Sequence, residues 1–308
     1  MTSVPGADDH RPGPAAGGLP SYLRDRAGVE PGRRPVILVA AFEGWNDAGD
    51  AATDLVDLVC SQSGAEELDG LLDDEVYDYQ FTRPVVRRDD EGRGTLEWPR
   101  TRVLRAVLPG EGPGVELLVL RGVEPSFRWR SFTQQILDLA SAHEVDAVLT
   151  LGALLADVPH TRPLPATPSS PLPELREALA ARRPTYEGPT GIVGVVTDSA
   201  VQAGLPTVSV WVAVPHYVSQ SPSPKAQLAL AGRLEELLET TLDLGALTED
   251  AAAWERGVDE LAGADPDVAA YVEQLEQARD TETLPEASGE AIAREFERYL
   301  RRRGGTDD

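Results

Sequence analysis

The chain has 308 residues, enough for one α/β domain and an accessory segment, and neither an internal repeat nor a central linker divides it into equal halves. Acidic residues outnumber basic ones by 52 to 28, a formal charge of -24 that repels phosphate backbones and anionic lipid headgroups and so argues against nucleic acid and membrane partners. Cys60 is the only cysteine, which excludes an intrachain disulfide, and no leader-like or bilayer-spanning run is found, so a cytoplasmic location is expected.

Residues 1–34 mix glycine, proline and charge without periodicity and read as a disordered or weakly ordered tail, anchored near Tyr22 and Leu23. The continuous apolar run from Pro35 to Ala41 predicts a strand buried on both faces. A helix is expected from Asp47 to about Ser61, with Ala48, Ala51, Ala52, Leu55, Val56 and Val59 on one stripe. Between Glu75 and Leu120, short Val-, Leu- and Tyr-rich segments broken by glycine turns predict antiparallel or mixed strands, Val115 to Leu120 being the most buried.

A helix from about Arg128 to His143 leads to a buried strand from Val145 to Leu151, and the six prolines between Pro159 and Pro173 predict a long loop. Then come a helix to about Ala203, a strand from Thr207 to Val214 and a helix from Pro224 to about Leu242. Alternation of this kind predicts a largely parallel sheet covered on both faces, here over residues 35–244. Residues 245–303 turn acidic and helical, with stripes at Trp254, Val258 and Leu261, at Val268, Val272 and Leu275, and at Ile292, Phe296 and Leu300; they are expected to pack on the core, leaving 304–308 as a tail.

The turn Gly44, Trp45, Asn46, Asp47 lies at the carboxyl end of the first strand, where open α/β sheets bind ligands. Asn46 or Asp47 suits a helix cap, Glu43 and Asp47 would repel a phosphate there, and Trp45 is either a lid or a partner contact. His160 with Arg162, and His216 with Tyr217, follow two further strand ends, where they could supply a general base and an anion-binding arginine or simply brace the loops. No metal-ligand spacing, phosphate loop, dinucleotide fingerprint or nucleophile elbow is found, so no cofactor, no metal and no catalytic residue is assigned.

The segments Gly44 to Gly49, Trp129 to Phe132, Val158 to Pro163, Tyr186 to Gly191, Val214 to Tyr217 and Pro222 to Lys225, taken together from about Pro35 to Leu300, resemble the proteasome assembly chaperone 2 family, and its actinobacterial branch in particular. The resemblance implies a three-layer phosphorylase/hydrolase-like α/β core with a mixed, largely parallel sheet and a C-terminal helical extension. It also implies self-association, with a trimer as one form, binding to 20S proteasome subunits, and no cofactor. Relatives often dock through a C-terminal hydrophobic-Tyr-any tripeptide; here Arg298-Tyr299-Leu300 has arginine in the hydrophobic place and the chain ends Gly304 to Asp308. Two expectations follow: a protein-binding module that associates with itself, or an enzyme of that fold working on a small anionic or nucleoside-like ligand with the Trp45 turn, His160, Arg162 and His216.

Overall fold

A computed structural model describes residues 17–283, apart from residues 27, 31, 72–73 and 111. In chain order the elements are α1 (Leu19–Arg26), β1 (Val36–Glu43), α2 (Ala51–Gln62), β2 (Glu66–Leu71), β3 (Val85–Arg88), β4 (Gly94–Glu97), β5 (Thr101–Leu108) and β6 (Val115–Val123). They continue with α3 (Trp129–Ala142), β7 (Ala147–Ala156), β8 (Ala166–Ser169), α4 (Pro173–Leu179), α5 (Ile192–Gln202), β9 (Thr207–Pro215), α6 (Pro224–Leu238), α7 (Leu247–Ala264) and α8 (Pro266–Thr283).

Seven strands form one sheet in the order β2-β5-β6-β1-β7-β9-β8. Its centre is parallel, β6 with β1, β1 with β7 and β7 with β9, and its margins are antiparallel. β1 lies in the middle and is apolar on both faces because both are covered. Ile37, Val39 and Ala41 meet α2 and α6 through Leu55, Leu230 and Leu234, whereas Leu38, Ala40 and Phe42 meet α3 and α5 through Phe132, Ile136, Val193 and Val196. The result is the three-layer α/β arrangement that the alternation of strands and helices calls for.

Several elements depart from the sequence reading. Residues 19–26, inside the stretch read as a weakly ordered tail, form α1: Leu19 and Leu23 lie one turn apart and are fully buried, and Gly18 N–H donates to Glu239 Oε1 at 2.5 Å. The proline-rich loop contains β8, which is antiparallel to β9 and carries Pro168 without penalty because it is the sheet's edge. That edge is closed: Arg233 Nε donates to the Ala166 carbonyl at 3.2 Å and Arg182 N–H to the Pro168 carbonyl at 2.9 Å. The helix expected from Asp47 begins instead at Ala51, after a 3-10 turn over Ala48–Asp50. The helix expected to reach Leu242 stops at Leu238, since Glu239 takes a left-handed conformation with φ 54°.

β3 and β4 stand apart as a two-stranded hairpin, exposed along both strands. Beyond α6, α7 buries Leu247, Ala251, Val258 and Ala262. The stripe through Trp254, Val258 and Leu261 is therefore offset: Trp254 is half-buried and Leu261 is 73% exposed. The third stripe, at Ile292, Phe296 and Leu300, and the segments 1–16 and 304–308 lie outside the described residues. No helix among the described residues is long and apolar enough to cross a membrane.

Candidate functional site

At the carboxyl end of β1 the chain turns through Gly44, whose φ of 113° suits a residue without a side chain. Trp45 points outward, 65% exposed, while Asn46 and Asp47 turn inward and are buried. The Asn46 carbonyl accepts from Ala153 N–H at 2.8 Å, tying the turn to β7. Asp47 caps α2: its carboxylate accepts from Ala52 N–H at 2.7 Å and Thr53 N–H at 3.4 Å, and Thr53 Oγ1 donates to it as well. Burial outweighs these donors and pushes the Asp47 carboxyl up to about 6.

Asn46 Nδ2 donates to Glu124 Oε1 at 3.0 Å, and the same oxygen accepts from Ile192 N–H, the first amide of α5, at 2.7 Å. Gly191 lets the three segments meet, because a Cβ there would lie 2.0 Å from Asn46 Nδ2. The start of α5, a place where a ligand anion would otherwise be stabilised, is thus filled by a carboxylate of the chain itself.

The second group lies beyond the ends of β7 and β9. His160 is 1% exposed and both ring nitrogens are engaged: Nε2 lies 3.0 Å from Asp259 Oδ1 and Nδ1 lies 2.8 Å from the Tyr217 hydroxyl. A carboxylate only accepts, so Nε2 carries the proton, and in the neutral ring Nδ1 accepts from Tyr217 O–H. Tyr217 also accepts from His160 N–H at 2.8 Å, and burial pushes its phenol up to about 12.

Arg162 reaches Asp280 through two bonds of 2.9 Å and Glu276 at 3.2 Å, and Thr161 Oγ1 donates to Glu276 too. His216 Nδ1 lies 3.1 Å from Asp157, which also accepts from Tyr271 O–H at 3.2 Å, and the rings of His216, Tyr217 and Tyr271 pack edge to face. Lys225, the only lysine, donates to the His160 carbonyl and to Glu255 at 2.6 Å.

The structure therefore brings His160, Arg162, His216 and Tyr217 together against α7 and α8, whereas Asn46 and Asp47 of the Trp45 turn bond to Glu124, Ala153 and the start of α2. Ser223 and Lys225 join the two groups, since Ser223 N–H donates to the Gly49 carbonyl at 2.8 Å and Lys225 follows two residues later. Sequence reasoning missed Glu124, Glu255, Asp259, Tyr271, Glu276 and Asp280. Among 52 acidic residues none stands out singly, although Glu255 with Asp259 and Glu276 with Asp280 repeat the four-residue spacing of one helix face. Among the described residues no group of three or more His, Cys, Asp or Glu is placed to hold a metal ion. Cys60 is buried in α2, where desolvation pushes its thiol up to about 11, away from the reactive thiolate.

The model of the PAC2 family matches residues 41–262. A PAC2 family protein from Streptomyces avermitilis is 48% identical, covering 77% of this chain and 99% of that one, with a TM-score of 0.72. The Mycobacterium tuberculosis proteasome-assembly chaperone homologue Rv2125 is 43% identical over 77% of this chain and 99% of its own, with a TM-score of 0.69. Pyrococcus furiosus PbaB, an archaeal proteasome activator, shares the fold at 14% identity, with 76% of this chain and 96% of that one covered and a TM-score of 0.58. No curated protein matches.

Proposed function

The chain belongs to the PAC2 family, and we propose that it is a protein-binding module of the proteasome-assembly-chaperone kind, which associates with itself and acts on 20S proteasome subunits. The observation that carries this reading is where large apolar side chains are exposed. Trp45 and Phe127 follow the ends of β1 and β6, and Phe81, Val85, Val86, Leu96 and Trp98 belong to the β3–β4 hairpin and its stem. Phe127 N–H donates to the Val76 carbonyl at 2.9 Å and the Trp98 ring packs on Tyr79 at 4.9 Å, so the hairpin stem adjoins the end of β6. Apolar groups gathered in this way, outside any core, fit contact with another protein surface.

The hairpin also suits self-association. Residues 83–98 carry four arginines, Arg83, Arg87, Arg88 and Arg93, and four acidic residues, so the arm is neutral in a chain whose total charge is -24. A neutral, apolar arm adds no like-charge repulsion of its own to contact with the acidic body of a second copy. An enzymatic reading has less support, because both ring nitrogens of His160 and the guanidinium of Arg162 are taken up by groups of the chain.

Affinity purification of the tagged protein from its native host tests the proposal. Proteasome α or β subunits should co-purify, and a clean absence from cells both growing and stressed would remove the proteasome from the reading.

A further inference from the structure

The cationic and donor groups under the C-terminal hairpin are met in a regular way. Glu255 and Asp259 of α7 face Lys225 and His160, and one helix later Glu276 and Asp280 of α8 face Thr161 and Arg162. The two helices hold on differently. α7 is anchored by Leu247, Ala251, Val258 and Ala262, whereas Val272 is the one buried side chain among those described in α8. Val268 and Leu275 are only partly buried, and beside them the α8 attachment is polar or aromatic: the Arg162 and Thr161 bonds, the Tyr271 bond to Asp157 and the edge contacts of Tyr271 with His216 and Tyr217. Asp280 is half exposed, and ion pairs in contact with water contribute little to holding an element down.

We infer that α8 is a removable cover over a binding site for an acidic amphipathic helix of a partner protein, the site being Arg162, Thr161 and the His216–Tyr217 ring pair beside α7. Charge complementarity carries the identification. The chain as a whole repels an acidic partner, yet here a guanidinium and a hydroxyl are aligned to receive two carboxylates four residues apart on one helix face. The ring pair receives an aromatic residue one or two turns earlier, as it now receives Tyr271. α8 displays the pattern that the site selects, an aromatic side chain followed by two acidic residues in the order of Tyr271, Glu276 and Asp280. A helix presenting the same groups with a larger apolar face would displace it, because the ion pairs are exchanged one for one and the apolar contact is added. The inference rests on the protein-binding reading and does not depend on the proteasome being the partner.

The test uses the full-length chain and, as probe, a fluorescein-labelled peptide with the sequence of residues 266–283. The variant E276Q/D280N should loosen the cover, seen as faster hydrogen exchange across residues 266–283 with an unchanged melting temperature. That variant should bind the peptide at least fivefold more tightly than the wild type, and adding Arg162→Gln should abolish the gain. A peptide with glutamines in place of Glu276 and Asp280 should not bind. Equal affinity of wild type and variant, unchanged exchange, or binding indifferent to Arg162→Gln would each overturn the inference. Light scattering on a mixture of the loosened variant with wild type, which supplies an intact α8, covers the other occupant: if the mixture dimerises and peptide competes with the dimer, the site receives α8 of a second copy and not a partner helix. Loss of proteasome co-purification would leave these results unchanged, so the two proposals fail separately.

Discussion

Asp47 shows what a buried cap costs. Three donors meet its carboxylate, yet removal from water still pushes its carboxyl up to about 6. The sign follows from linkage. Between the ordinary carboxyl value, about 4, and about 6, the native state binds this proton more readily than the unfolded chain does. The contribution is therefore complete below about 4 and lost as pH rises through about 6, a loss of roughly 2–3 kcal/mol for a shift of this size. Asp47→Asn removes the titration and keeps an acceptor for Ala52 N–H. Thermal unfolding at pH 5 and pH 7 should show a smaller difference for the variant than for the wild type. An identical difference in the two proteins would mean that Asp47 titrates like an exposed carboxyl.

Strands and helices differ in how openly the sequence declares them. β1, β6, β7 and β9 contain apolar runs, and each is buried where the run predicts. β2 has the sequence Glu66-Glu67-Leu68-Asp69-Gly70-Leu71 and gives no such sign; pairing with β5 at the sheet margin makes it a strand. β8 was hidden by Pro168 and the prolines around it for the same reason, since an edge tolerates a missing donor and only the finished sheet defines an edge.

Helical stripes are legible only to within a turn. In α7 the periodicity selects Leu261, but the buried face runs through Leu247, Ala251, Val258 and Ala262. Urea denaturation should separate the two assignments. Leu247→Ala should cost ~2–5 kcal/mol, as cavity formation does at a buried leucine, and Leu261→Ala should stay within about 0.5 kcal/mol. A large effect at Leu261 would mean that a second surface covers it in solution.

At the scale of the whole molecule, the residues singled out around the Trp45 turn and around His160 and His216 do gather at strand ends, as the position of ligand sites in open α/β sheets leads one to expect. Their partners were illegible, because a carboxylate acquires a role only when a helix brings it within reach and this chain has 52 acidic residues. Net charge and surface pattern then pull in opposite directions. A charge of -24 opposes association of like copies, whereas the apolar arm favours it, so added salt should tighten the oligomer by screening the first without weakening the second. Light scattering from low to high ionic strength should show mass rising toward a fixed multiple. Phe81→Ser with Trp98→Ser should hold the protein at monomer mass with a near-native melting temperature, since Phe81 is 90% exposed and Trp98 half exposed. A monomer at every salt concentration would end the self-association reading.

A ribosome makes β1 long before it makes either neighbour. Val36–Glu43 must wait for β6, which starts at Val115, and then for β7, which starts at Ala147. At ordinary speeds of synthesis, about 5–20 residues per second, the first wait lasts roughly 4–14 s. Throughout it an eight-residue apolar segment is outside any core, the kind of window in which nascent chains aggregate. The length of that interval should govern how much folded protein each round of translation yields. A pause engineered between codons 43 and 115 should lower the soluble fraction, and the same pause after codon 215, once β9 has been made, should leave it unchanged.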